Sequence, residues 1–211
     1  MRDRKETARD ILISGLRNAH AAERQAVATL GAQVDRLEDY PEFQAKVREH
    51  IEVSREQEKR LDIALRKLDA STSVLKSAAM SVMGAAQSAL HNQAEDAPLK
   101  QALSTAMFEH FEIATYSSLI ALAQEAGETE LIADLEASLK EEKTMAAWMD
   151  DNIPAIARRY VEMEMKAGRE QEQEDKKREH ARETFFEAKD HSLDQTPGTA
   201  PKDEPKTAPK E

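Results

Sequence analysis

The stretch STSVLKSAAMSVMGAAQSALHNQAED, residues 71–96, decides the topology of this chain. It is rich in Ala, Ser and Met and predicts one shorter helix, within 71–95, crossing the molecule. On its N-terminal side, helices are predicted over 4–38 and 41–69. They are parted by Asp39-Tyr40-Pro41, with the proline where a helix opens. On its C-terminal side, helices are predicted over 97–126 and 128–151, and Gly127 supplies a left-handed cap between them. Each pair is joined by a few residues and so forms an antiparallel hairpin. Roughly 27 residues separate the two hairpins, enough to carry the chain back along a bundle.

The expected fold is therefore all-α, a ferritin-like four-helix bundle over residues 4–152 with a long crossover, rather than an up-down-up-down bundle. Composition agrees: charged residues make up 34% of the chain and aromatics only 4%. Abundant Ala, Glu, Lys, Leu and Arg with little Gly is a helical signature. The absence of Cys excludes thiol catalysis, zinc-thiolate sites and disulfides. A net charge of -11 argues against nucleic acid as a partner. No apolar run reaches membrane-spanning length and the polar start Met1-Arg2-Asp3-Arg4-Lys5 has no apolar segment behind it, so no membrane partner is expected and the expected location is cytoplasmic.

Four glutamates fall where a helix should bury apolar groups. Glu23 interrupts the stripe Leu12, Leu16, Ala19, Ala26, Leu30, Leu37, and Glu142 interrupts Leu135, Leu139, Ala146, Met149. Glu109, Glu112 and Tyr116 share one face of a helix at i, i+3 and i+7. Ionised carboxylates are costly to bury unless paired or holding a cation, and several in one bundle repel each other. A carboxylate metal site between helices resolves the conflict. Salt bridges to Arg24 or Lys143 are the alternative resolution.

On the second helix the inward positions are His50, Ser54 and Gln57, of which His50 is the best ligand. His110 points off the acidic face and is read as a packing or interface residue, and His20 and His91 as surface residues. Met80, Met83 and Met107 are read as core fillers.

Ala21-Ala22-Glu23-Arg24-Gln25, Glu49-His50-Ile51-Glu52, the octet Glu109-His110-Phe111-Glu112-Ile113-Ala114-Thr115-Tyr116 and Leu139-Lys140-Glu141-Glu142-Lys143 together resemble the YciF-like family of bacterial ferritin-like proteins. The resemblance covers about residues 8–150, and the octet is its most specific part. It implies a four-helix bundle, a homodimer, stress-associated expression in some members and a rubrerythrin-like dinuclear site. Carried over by position, Glu23, Glu109, Glu112 and Glu142 are metal ligands, with His50 from the second helix and Tyr116 hydrogen-bonding a ligand. Carboxylate-rich coordination favours Fe or Mn, with Zn also accommodated. The pattern departs on the second helix, where Val53 replaces a second acid. Glu-x-x-His pairs are missing as well, because Arg55 follows Glu52 and Met145 follows Glu142 at i+3.

Beyond Pro154 a charged C-terminal helix is expected over 154–190, and Ile156, Tyr160, Met163 and Ala167 are expected to dock its first turns on the bundle. That helix could also engage a protein partner. A disordered tail is expected over 191–211, where Pro, Lys, Thr and Asp cannot form a core. Two functions follow from these readings. One is a carboxylate di-metal protein that reacts with O2 or peroxide. The other is a metal-poor, stress-linked bundle serving as a dimeric interaction or structural protein.

Overall fold

The computed structural model describes residues 3–72 and 97–193, with side chains for 3–72 and 98–186. The expected crossover helix, His91, Met80, Met83 and most of the C-terminal tail lie outside the described residues. Among those described, the chain forms four long helices and no strand: α1 Arg4–Gln33, α2 Pro41–Lys67, α3 Ala97–Ala126 and α4 Ile132–Leu193. Among the described residues no helix is long and apolar enough to cross a membrane.

Local chemistry sets most of these boundaries. The first helix tightens into a 3-10 turn, Val34–Leu37, before Pro41 opens α2. At the end of α2 the Ala70 amide donates to the Leu65 carbonyl and the Asp69 amide to the Arg66 carbonyl, with Asp69 at φ 55. Gly127, at φ 81, ends α3 by the same double bond pattern, from Glu128 to Ala123 and from Gly127 to Gln124. These are Schellman caps, which need one left-handed residue each.

The fourth helix differs from expectation. A break at Pro154 followed by a separate helix was predicted, but α4 runs through Pro154. Pro154 and the Asp150 whose carbonyl loses its amide partner are both exposed, so the carbonyl keeps access to water and the loss is cheap there. Nearby, the Asn152 side chain donates to the Trp148 carbonyl at 2.8 Å.

Cross-helix contacts establish the topology. Between α1 and α2, Arg9 reaches the Leu68 carbonyl, His20 faces Glu58, and Asp35 pairs with Arg48. Between α1 and α3, Arg4 pairs with Glu125 and Tyr116 bonds Glu23. In both sets one number rises as the other falls, so α1 is antiparallel to α2 and to α3. Helices α2 and α3 are therefore parallel. Lys67 of α2 meets Glu130 in the short 3-10 turn Thr129–Leu131 just before α4, and Arg60 meets Glu141 further along α4, so these two helices are again antiparallel. This is the four-helix bundle with a long crossover.

The bundle core is split in two. One apolar cluster gathers Leu12, Leu16, Leu61, Leu65, Tyr116, Leu119, Leu131 and Leu135. The other gathers Leu30, Leu37, Phe43, Val47, Ile51, Ala106, Met145, Met149 and Ile156. On every helix polar side chains are buried near the junction of the two clusters: Glu23 on α1, His50, Ser54 and Gln57 on α2, Glu109 and Glu112 on α3, Glu142 on α4.

Residues up to Glu162 form one compact unit and those from Met163 a second. In the second unit residues 164–186 are all exposed. Its helix carries pairs such as Lys176–Glu172 and Arg178–Glu174 at i,i+4, each of small worth. Ile156 is buried and Tyr160 and Met163 are half-buried, whereas Ala167 is exposed.

A Cβ at Gly15 would lie 2.8 Å from Leu119 Cδ2, so the lack of a side chain there allows α1 and α3 to approach closely. Gly15→Leu is expected to overpack this contact and lower stability by about 1–3 kcal/mol. Denaturant unfolding checks it. For Gly15→Ala the clash offsets a helix-propensity gain of about 1 kcal/mol, leaving it near neutral.

Candidate metal centre

The polar layer is built from one turn of each helix. Each of these residues belongs to an apolar-periodic stripe, so helix packing turns it inward whatever its charge. Glu23, His50, Glu109, Glu112 and Glu142 retain 0–3% of their exposure. His50, Glu109, Glu112 and Glu142 offer ligand atoms that all lie within 4.8 Å of one another. His50 Nε2 is 3.2 Å from Glu109 Oε2 and 3.9 Å from Glu142 Oε2. The 3.2 Å contact lies off the line of a hydrogen bond, and His50 Nε2 has no hydrogen-bond partner. Glu109 Oε2, Glu142 Oε2 and both oxygens of Glu112 are equally unpartnered. Buried polar atoms are seldom left in this condition. Ligand atoms of these four residues lie within 4.8 Å of one another with no cationic side chain among them, as ligands of one cation can. This donor set therefore fits a metal ion.

Glu23 lies outside that 4.8 Å group, although its Oε2 is likewise buried without a partner. Its Oε1 accepts a 2.7 Å hydrogen bond from the Tyr116 hydroxyl, so Tyr116 bonds an acid of the layer from α1 rather than its helical neighbour Glu112. Gln57, inward-facing and fully buried, donates through Nε2 to Glu142 Oε1 and, at 3.2 Å, to Glu141 Oε2. Arg60 closes the chain outward with a fork on Glu141, at 2.6 and 2.9 Å.

Among the described residues no lysine or arginine forms an ion pair with the four acids. Arg24 instead faces Glu58 at 3.6 Å, and Lys143 is exposed. His20, expected at the surface, is buried at 7% and lies 3.6 Å from Glu58. The i+3 spacing to Glu23 draws it into the interface of α1 with α2. His110 is exposed, 3.6 Å from Asp150.

Electrostatics follow from burial. Desolvation, then the charge of Glu142, raises the Glu23 carboxyl to about 8. Glu109 rises to about 7, again first through desolvation. Glu142 rises to about 9 through desolvation and its hydrogen bond with Glu109. Glu112 is pushed well above the carboxylate range by desolvation and then by Glu23, Glu142 and Glu109. Tyr116 is raised too, by burial and by Glu23. Burial lowers His50, which keeps its imidazole neutral and able to ligate. Without a cation the layer holds protons at neutral pH; a bound cation takes their place.

A bundle of antiparallel hairpins with a buried histidine–carboxylate group defines the class of protein. The family described as "Domain of unknown function (DUF892)" matches residues 7–162, and the chain belongs to it. A solved protein of Xanthomonas campestris pv. campestris is 28% identical. Its TM-score is 0.64, with 75% of this chain and 99% of that chain covered. YcfI of Rhodopseudomonas palustris is 26% identical, with a TM-score of 0.60 over 68% of this chain and 92% of its own. The E. coli stress protein YciF shares the fold at 22% identity and a TM-score of 0.62, with 72% of this chain and 97% of that chain covered.

Metal-free protein is expected to lose stability as pH rises from about 7 to about 9. Folded Glu23 and Glu142 retain protons there that the unfolded chain, titrating near 4.5, has released. The folded state then binds more protons, and stability falls by at most about 1.4 kcal/mol per pH unit for each. His50 acts in the opposite sense only below its ordinary 6.5, outside this window. Thermal melts of chelator-treated protein at pH 7, 8 and 9 check the slope; a flat or rising melting temperature contradicts it.

Proposed function

We propose that the protein binds iron or manganese in the polar layer of its bundle and serves in a stress response by reacting that metal with O2 or peroxide. The convergence of unpartnered buried atoms from His50, Glu109, Glu112 and Glu142 carries this reading. Three carboxylates favour hard cations, and the imidazole favours iron, manganese or zinc over magnesium and calcium. Bound redox metal would supply electrons to the oxidant. The protein's part is to orient the ligands, exclude bulk water and release to solvent the protons that metal binding displaces from its carboxyls. His50 stays neutral for this purpose, and Gln57 holds Glu142 in place.

Anaerobic Fe(II) titration of chelator-treated protein tests the reading. Tight uptake is expected, followed by oxidation faster than that of free Fe(II) when peroxide is added. Glu112→Gln is expected to weaken uptake by about a hundredfold, since it removes a ligand rather than a supporting contact. The same substitution should leave the melting temperature of metal-free protein unchanged or higher, because it removes a carboxyl with no partner. Less than one metal per chain and oxidation at the background rate would sink the proposal.

A second reading is a metal-poor bundle with a structural or interaction role. Its support is that the raised Glu23, Glu109 and Glu142 carboxyls can neutralise themselves with protons. The homodimer expected from the resemblance has a surface available to it. Leu103, Met107 and Phe111 of α3, spaced four apart, are 50%, 51% and 47% exposed. Met107 is thus on the outside rather than in the core. Sedimentation of the full chain is expected to show a dimer, with Phe111→Glu shifting it toward monomer.

A further inference from the structure

A two-metal centre in a helical bundle needs two ligand sets. A pair of ions about 3.5–4 Å apart must be bridged, and each ion needs further donors of its own. Di-metal bundles supply these with one Glu from each of two helices and a Glu-x-x-His pair from each of the others. Here the polar layer divides unevenly. One side holds His50, Glu109, Glu112 and Glu142, whose four ligand atoms lie within 4.8 Å of one another. Donors on a single ion at roughly 2.1 Å stand no more than about 4.2 Å apart, so the group is close to one coordination sphere.

The other side is poor in donors. Among the described residues its only carboxylate is Glu23; one oxygen is taken by the Tyr116 hydroxyl at 2.7 Å, and the other, Oε2, is buried without a hydrogen-bond partner but falls outside the group of atoms within 4.8 Å of one another. The neighbouring inward positions on α2 are neutral: Ser54 and Gln57, both fully buried. Gln57 presents its amide N–H to Glu142 and Glu141, so it faces the layer as a donor of hydrogen bonds. On α4 the position three residues after Glu142, where a second imidazole would stand, is Met145. It packs into the apolar cluster with Val47, Ile51 and Ala106.

We propose that the centre binds one divalent ion per chain, held by His50, Glu109, Glu112 and Glu142, and that Glu23 is a partner of Tyr116 and not a ligand. The inference rests on the metal-binding reading above and narrows it from two ions to one. Helices α2, α3 and α4 supply all the ligands, while α1 closes the layer. The single ion has room for non-protein ligands, since four protein donors do not complete the octahedral sphere of iron or manganese.

Equilibrium titration of the full chain with Mn(II) alone, followed by electron paramagnetic resonance of the loaded protein, tests it. The expected result is one Mn(II) per chain with the six-line spectrum of an isolated ion. Two ions per chain with an exchange-coupled spectrum would overturn the single-ion centre and leave metal binding intact. No bound ion would overturn both. Glu23→Gln is expected to keep the stoichiometry of one and shift affinity by no more than about tenfold, the lower range for a supporting contact. Glu142→Gln is expected to cost about a hundredfold or more, as loss of a ligand should. Equal losses in the two variants would make Glu23 a ligand and refute the four-residue cage.

Discussion

Four carboxyl groups, each 0–2% exposed, meet in the middle of the bundle with no lysine or arginine paired to them among the described residues. This constraint organises the rest of the molecule. Burying one ionised carboxylate in apolar surroundings is already prohibitive, and like charges nearby add to the cost. The layer therefore exists only with protons or a cation in it. The apolar clusters on either side, one around Leu16 and Leu65 and one around Val47 and Met149, bear the cohesion of the fold. They hold the helices at a spacing that the polar layer alone would not tolerate.

That division explains what was legible in the chain. Glu23 and Glu142 could be read as inward because apolar neighbours at three- and four-residue spacing fix the face of a helix regardless of what occupies one position on it. Short turns at Pro41 and Gly127 announced the hairpins, and the antiparallel contacts of α1 with both α2 and α3 agree with the long connection between them. Less was legible where a contact depends on two helices at once. The bond from Tyr116 to Glu23 joins residues 93 positions apart, and no periodicity along α3 could assign it. His20 was read as exposed because its own stripe does not include it; the surface of α2 with Glu58 covers it. Pro154 was read as a break because proline removes a backbone bond, yet on an exposed face that loss does not end a long helix.

The chain Arg60–Glu141–Gln57–Glu142 links the solvent-facing side of α2 and α4 to the centre. Arg60 and Glu141 are partly exposed, and Gln57 and Glu142 fully buried. An amide suits the joint between them better than a second acid would. It donates to both carboxylates without adding charge, so Glu142 is oriented without being further repelled. The Gln57 Oε1 itself is left buried without a hydrogen-bond partner.

Cation binding and folding are coupled in such a design. The unfolded chain scatters these ligands over three segments, so it has little affinity for an ion that the folded layer would gather from three helices. An ion bound only to the folded state stabilises it by mass action, in proportion to the logarithm of its concentration over the dissociation constant. Protons do the same for the empty layer, since the raised Glu23, Glu109 and Glu142 carboxyls bind them more tightly folded than unfolded. Metal and protons therefore compete for one set of atoms, and each relieves the same electrostatic strain. A rise in pH strips the protons and sharpens the demand for a cation, so a cation in the layer would stabilise the bundle most where the carboxylates are most fully ionised.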